Sequence, residues 1–129
     1  MVKKAITILS ICIVTITFGI IEIIFVKNTL SSIDNIVDNL YISYQDNEDD
    51  ISIFYEDTLN IKDFWGEKIK ALNFIFNHRD LSTITDSITR LQIYTKTNDY
   101  KNAICELLLL QSFTSNSYHI MGFNLHNIL

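Results

Sequence analysis

The residues with the strongest claim to chemistry are few and badly placed for it. His78-Arg79-Asp80 carries the three letters of a kinase catalytic loop. The downstream asparagine and the glycine-rich loop of that machinery are missing, so the triplet reads as a helix-capping turn. The run from Asp46 to Asp57 offers oxygen donors at close spacing, superficially like a calcium loop. An EF-hand needs a central glycine and a bidentate glutamate at its twelfth position. Here the twelfth residue counted from Asp46 is Asp57, and no glycine lies between them. These acids read instead as a solvated loop whose charge favours the N-terminus of the next helix.

Glu56 with Asp57, and Asp63 with Glu67, are the available carboxylate pairs. General acid–base work needs desolvation to split the two pKa values, which a solvated helix face does not supply. His119 and His126 are seven apart and fit one helical face, while His78 sits in a turn. With no cysteine or acid at ligand spacing, surface or capping roles fit these histidines better than a metal. Cys12 and Cys105 fall on opposite sides of the membrane boundary argued below, so they make no disulfide framework, and Cys105 reads as a small core residue. There is neither a glycine-rich phosphate loop nor a G-x-S-x-G turn. The expectation is a protein with no catalytic, cofactor or metal site, and not an enzyme.

The chain must therefore be read from its elements. Ala5 to Val26 is 22 residues long, with seventeen of them before the first charge at Glu22. At ~1.5 Å per residue this is about 33 Å, against a bilayer hydrocarbon core of ~30 Å. A secretory signal has a shorter apolar region and a small-residue cleavage site. Phe25-Val26-Lys27-Asn28 is not such a site. An uncleaved transmembrane anchor is expected, with Lys3, Lys4 and the terminal amine holding the amino end in the cytoplasm and the rest of the chain outside.

The less apolar anchor residues Cys12, Thr15, Gly19 and Glu22 recur at steps of three, four and three, on one helical face. Two readings of that stripe stand side by side. In one it receives a second membrane helix, because small and weakly polar residues permit close approach. In the other Thr15 bonds back to its own helix and Glu22 snorkels to the interface.

Beyond the anchor the chain has eight basic and fourteen acidic residues, and no basic stripe with interleaved aromatics. That argues against nucleic-acid binding and predicts repulsion from anionic headgroups. With no proline and only three glycines, long helices joined by short polar turns are expected. The fold class is all-α: a single N-terminal transmembrane helix followed by a small antiparallel helical bundle. Residues 1–27 form the cytoplasmic tip and anchor, and residues 28–129 an extracytoplasmic helical domain.

Apolar residues at helical spacing place elements near 31–45, 50–77, 81–97 and 99–115. The first is capped by Ser31, or else runs straight out of the anchor as a stalk. The second carries Ile51, Phe54, Thr58, Ile61, Trp65, Ile69, Leu72 and Phe76 in one stripe, with a bend permitted at Gly66. The third turns Leu81, Ile84, Ile88, Leu91 and Thr95 inward. The fourth buries Tyr100, Ala103, Ile104, Leu107, Leu108 and Gln111. Its run Leu107-Leu108-Leu109-Leu110 is apolar on more than one face, which makes Leu109 and Leu110 a candidate partner surface. Met121, Phe123, Leu125, Ile128 and Leu129 suit an ordered tail packing back.

Several short motifs recur together: Trp65, then Phe76-Asn77-His78-Arg79-Asp80 leading to Ile84, then Ser87-Ile88-Thr89-Arg90-Leu91 with Tyr94 beyond. Asp99, Ala103, Glu106-Leu107 and the closing Leu125-His126-Asn127-Ile128-Leu129 follow. In these the chain resembles a family of small bacterial membrane-anchored proteins known only as domain-of-unknown-function family 4363. Gly66 departs from the family pattern, as do Leu109-Leu110-Gln111 and Ser115-Asn116-Ser117 where charges are usual. The resemblance implies no activity and transfers no catalytic residue. It implies a companion of multi-spanning membrane proteins. The function expected is an interaction or scaffolding module in the cell membrane, whose partners are the bilayer and either another envelope protein or a second copy. The alternative is a small-ligand or signal-sensing domain with an aromatic-lined pocket.

Overall fold

The structure is a computed structural model that describes residues 1–76 and 78–121, with side chains as far as Ser115. Four helices carry the described chain: α1 (Val2–Asp46), α2 (Tyr55–Leu72), α3 (His78–Lys96) and α4 (Tyr100–Met121). One turn of 3-10 helix, Ile51–Phe54, leads into α2. Among the described residues there is no strand, in keeping with the all-α expectation.

α1 is one uninterrupted helix of 45 residues, about 68 Å long. The cap expected at Ser31 is not used. Ser32 Oγ donates to the Asn28 carbonyl at 2.9 Å and Thr29 Oγ1 to the Phe25 carbonyl at 2.9 Å. A helix already formed through the apolar segment propagates at little cost, whereas restarting one would mean a new nucleus. The hydroxyls therefore bond back along α1 and do not cap a second helix. From Val26 onward, Val26, Thr29, Leu30, Ile33, Val37, Leu40 and Tyr44 are buried, a stripe at steps of three and four that faces the other helices.

The second helix is shorter than its sequence pattern. α2 stops at Leu72, and Asn73 to Phe76 form a turn closed by Ile75 N–H to the Leu72 carbonyl at 2.9 Å. Gly66 lies inside α2 without ending it. α3 begins earlier than expected, at His78. Its buried face holds Leu81, Ile84, Ser87, Ile88, Leu91, Gln92 and Thr95.

Specific side-chain bonds set the register. Trp65 Nε1 donates to Thr85 Oγ1 at 2.8 Å, and Gln92 Nε2 to the Thr58 carbonyl at 3.2 Å, so α2 and α3 run antiparallel. α4 returns antiparallel to α1, with Gln111 bonded to Asp38 and Thr114 Oγ1 donating to Asp34 Oδ1 at 2.7 Å. The Tyr44 hydroxyl and Thr95 Oγ1 are 2.6 Å apart, which ties the parallel helices α1 and α3 together across the bundle.

At the end far from the apolar segment the two turns lock together. Asn98 takes a left-handed conformation with φ of 55°, which asparagine tolerates better than most residues. Its Oδ1 accepts from Ile51 N–H at 2.8 Å, and its Nδ2 donates to the Asp49 carbonyl at 2.9 Å. Asp50 caps the 3-10 turn by accepting from Ser52 N–H at 3.1 Å. The acidic loop is thus a structural turn in which Asp50 accepts from Ser52 and Glu48 accepts from the Tyr100 hydroxyl at 3.1 Å.

Candidate functional site

Three surfaces are available for recognition: the apolar half of α1, the outer face of α4, and the α2–α3 turn. The first is the largest. α1 is long and apolar enough to cross a membrane, and none of its most apolar stretch is buried against the rest of the chain. Every hydroxyl in that stretch is satisfied within the helix. Thr7, Ser10, Thr15 and Thr17 donate to the carbonyls four residues back, at 2.8 to 3.0 Å. Apart from the Cys12 thiol and the Glu22 carboxylate, a helix so satisfied exposes hydrocarbon and internally bonded polar groups, as an apolar solvent demands.

Within the stripe, Cys12 and Thr15 are exposed, and Gly19 and Glu22 are half-buried. Thr15 bonds back to Ile11, so its hydroxyl is not offered to a neighbour. A Cβ built on Gly19 meets nothing within 4 Å. No contact inside this chain calls for glycine there.

The outer face of α4 is rotated from the one expected. Leu110 is 0 % exposed and belongs to the core, together with Ala103 and Leu107. It cannot contribute its side chain to a partner surface. Leu109, at 44 % exposed, and Leu108, at 46 %, form the outward apolar pair. Cys105, expected in the core, is exposed beside them. The rotation has a polar cause. Glu106 is buried and accepts from Ser87 Oγ at 2.7 Å, while Arg90 Nε donates to its Oε1 at 2.7 Å and Nη2 to its Oε2 at 3.2 Å. The bond to Glu106 raises the Arg90 pKa above its ordinary value. Satisfying Glu106 on α3, and Gln111 and Thr114 on α1, orients α4 so that residues 103, 107, 110 and 114 point inward. Leu108, expected inside, lies on the other side.

The aromatic residues are dispersed. Tyr44 and Trp65 are buried, and the Tyr44 and Phe54 rings lie 5.6 Å apart. Burial pushes the Tyr44 phenol up to about 12, although its bond with Thr95 acts in the opposite direction. Phe64 carries Lys68 Nζ over its ring at 5.5 Å. Phe74 projects from the α2–α3 turn, 93 % exposed. Among the described residues, no buried side-chain nitrogen or oxygen lacks a hydrogen-bond partner, and no three His, Cys, Asp or Glu gather to hold a metal. His78 is exposed at the start of α3. His119 falls in the last turns of α4, where only the backbone is described, and His126 lies outside the described residues. Of the expected ordered tail, 118–121 continue α4 and 122–129 are likewise outside them.

With this geometry in view, the comparison with protein families is decisive. The model of the family described as Domain of unknown function (DUF4363) matches residues 21–128. The chain belongs to the DUF4363 family. No curated protein and no solved structure matches it. The DUF4363 match begins inside α1, near the point where that helix starts to pack on the bundle. Several of the short motifs that carried the resemblance are joints between helices. Trp65 bonds to α3, Ser87 and Arg90 bond to Glu106 of α4, and Asp99 accepts from Asn102 N–H at 3.3 Å to cap α4. Ile84, Ile88, Leu91, Ala103 and Leu107 fill the core between them. None of these residues forms an open site.

Proposed function

We propose that this protein is a single-pass membrane protein whose helical domain, held rigidly at the bilayer surface, is an interaction or scaffolding module for another envelope protein. The observation that carries the reading is the continuity of α1. One helix is bare and apolar over its first two dozen residues, then becomes a core strut of the bundle. A flexible tether would let the domain reach freely. A continuous helix instead fixes its height above the membrane, which suits a protein that meets another membrane protein at a set distance.

The amino end is cytoplasmic in this reading, since Lys3 and Lys4 flank that side of the span and Lys27 alone the other. The partner contact uses Leu108 and Leu109 on α4, and the Gly19–Glu22 part of the anchor stripe where a neighbouring helix finds space. The role is non-catalytic. Its chemistry is packing and hydrogen bonding between preformed helices.

The test is photo-crosslinking in the native membrane from positions 19 and 109, followed by purification in mild detergent. A discrete crosslinked membrane protein, or a self-crosslink, at both positions is the expected result. A strictly monomeric protein that crosslinks to nothing from either position would sink the proposal.

A further inference from the structure

Among the described residues, the α2–α3 turn is the one place where a strongly apolar tip stands clear of the bundle. Phe74 is 93 % exposed and Ile75 37 %, while Phe76 is partly buried against the core. Its height along α1 follows from the register. Thr95 is level with Tyr44. Counting back seventeen residues along each of these parallel helices sets His78 level with Lys27. The pairs Trp65–Thr85 and Thr58–Gln92 then set Leu72 opposite His78. Residues 73–76 lie beyond that point, at the end of the bundle from which the bare apolar segment of α1 emerges.

Charge is sorted along the same axis. Lys27, Lys70 and Arg79 lie towards this end, against Glu22, Glu67 and Asp80, while Lys68 reaches back over the Phe64 ring. The far end holds Asp46, Glu48, Asp49, Asp50, Glu56, Asp57 and Asp99, against only Lys96 and Lys101. The net acidity of the domain, which by itself implies repulsion from anionic lipid, therefore resides at the end farthest from the apolar span. An exposed phenylalanine and isoleucine, with Lys70 and Arg79 nearby in sequence on either side of the turn, suit insertion at a membrane interface.

We infer that Phe74 and Ile75 insert into the interfacial layer of the same bilayer that α1 crosses, making a second membrane contact that seats the bundle on the lipid surface. This rests on the reading of α1 as a membrane span. Two contacts set apart on the membrane plane would fix the tilt of the bundle, which one helix alone cannot do. The occupant of the apolar tip is lipid because the tip lies at the end of the bundle from which the apolar segment of α1 emerges, and the acidic charge that anionic headgroups would repel lies at the opposite end.

The experiment uses the full chain with Cys12→Ser and Cys105→Ser, reconstituted in vesicles of phosphatidylcholine with phosphatidylglycerol. An environment-sensitive fluorophore is attached in turn through Phe74→Cys, Ile16→Cys and Ile53→Cys. The native residues at all three positions are exposed, Ile53 being 61 % exposed on the 3-10 turn at the far end, so the labels leave the core intact. Nitroxide lipids and an aqueous quencher are then compared. The expected result is strong quenching by the nitroxide lipid at positions 74 and 16, and by the aqueous quencher at 53. Lipid quenching at 16 with aqueous quenching at 74 overturns the inference while leaving the anchor in place. Aqueous quenching at 16 overturns the anchor reading itself. Shielding of position 74 from both quenchers means that protein covers the tip, and also overturns the inference.

Discussion

The two halves of α1 are made of the same helix and solve opposite problems. From Val2 to Phe25 the side chains touch almost nothing in the chain, and the hydroxyls bond back to their own backbone. From Val26 to Asp46 the buried stripe packs on three other helices, and the polar groups reach across: Asp34 to Thr114, Asp38 to Gln111, Tyr44 to Thr95. The first half satisfies its backbone and hydroxyls without any neighbour, as a helix in an apolar solvent must. The second half depends on burial supplied by tertiary neighbours. Membership of one continuous helix transmits position from the first half to the second, but not stability.

The sharpest way to break that comparison is to insert the same charge in each half. Ile33→Asp leaves an unpaired carboxylate at a site with no exposure. It should cost about 4 kcal/mol or more and abolish the cooperative thermal transition of the bundle. Ile16→Asp should leave that transition in place while costing about 3 kcal/mol of membrane insertion, seen as extraction by alkaline carbonate. Equal loss of the bundle transition in both variants would show that the halves are not separable.

Titration of Tyr44 gives a second, slightly smaller effect confined to the bundle half. Its folded pKa of about 12 lies above the ordinary 10. The folded state therefore holds its proton more tightly, and the associated stability is fully present below pH 10 and lost as pH rises towards 12. Two pKa units correspond to about 3 kcal/mol, measurable as a falling urea midpoint between pH 9 and 12. Tyr44→Phe should remove most of that dependence. A third variant, Glu106→Ala, leaves Ser87 without its acceptor and releases Arg90. It should lower stability by about 2 kcal/mol, read from denaturant melts, with membrane association unchanged.

The smallest effect compares two glycines. Neither Gly19 nor Gly66 has any atom within 4 Å of where a Cβ would sit. Gly66→Ala should stabilise the bundle by about 1 kcal/mol, because alanine loses less backbone entropy in a helix. Gly19→Leu should leave the melting temperature unchanged and reduce only the crosslinking yield from the anchor. A gain in bundle stability from the change at Gly19 would contradict the independence of the two halves.

The candidate site was only partly legible in the sequence. The stripe of α3 from Leu81 to Thr95 and the buried Trp65 follow directly from spacing. On α4 the four consecutive leucines defeat such reasoning, since a uniformly apolar run names no face. Leu110 and Cys105 exchange their expected places because Glu106, Gln111 and Thr114 each find a partner on a different helix. Those partners are sixteen to eighty residues away in sequence, beyond the reach of any local pattern. The exposed Phe74 was hidden for the opposite reason. It sits in a continuous run of aromatic and aliphatic residues that reads as more helix, and only the end of α2 at Leu72 turns it outward.

By itself the sequence determined the apolar segment and the helical character of the chain. These depend on composition and on periodicities of three and four, which are local properties. The tertiary structure alone decided that the span and the first bundle helix are one rod, which face of α4 looks outward, and that charge is sorted along the bundle axis. Each of these is set by register between helices distant in sequence, and register follows from packing and paired polar groups.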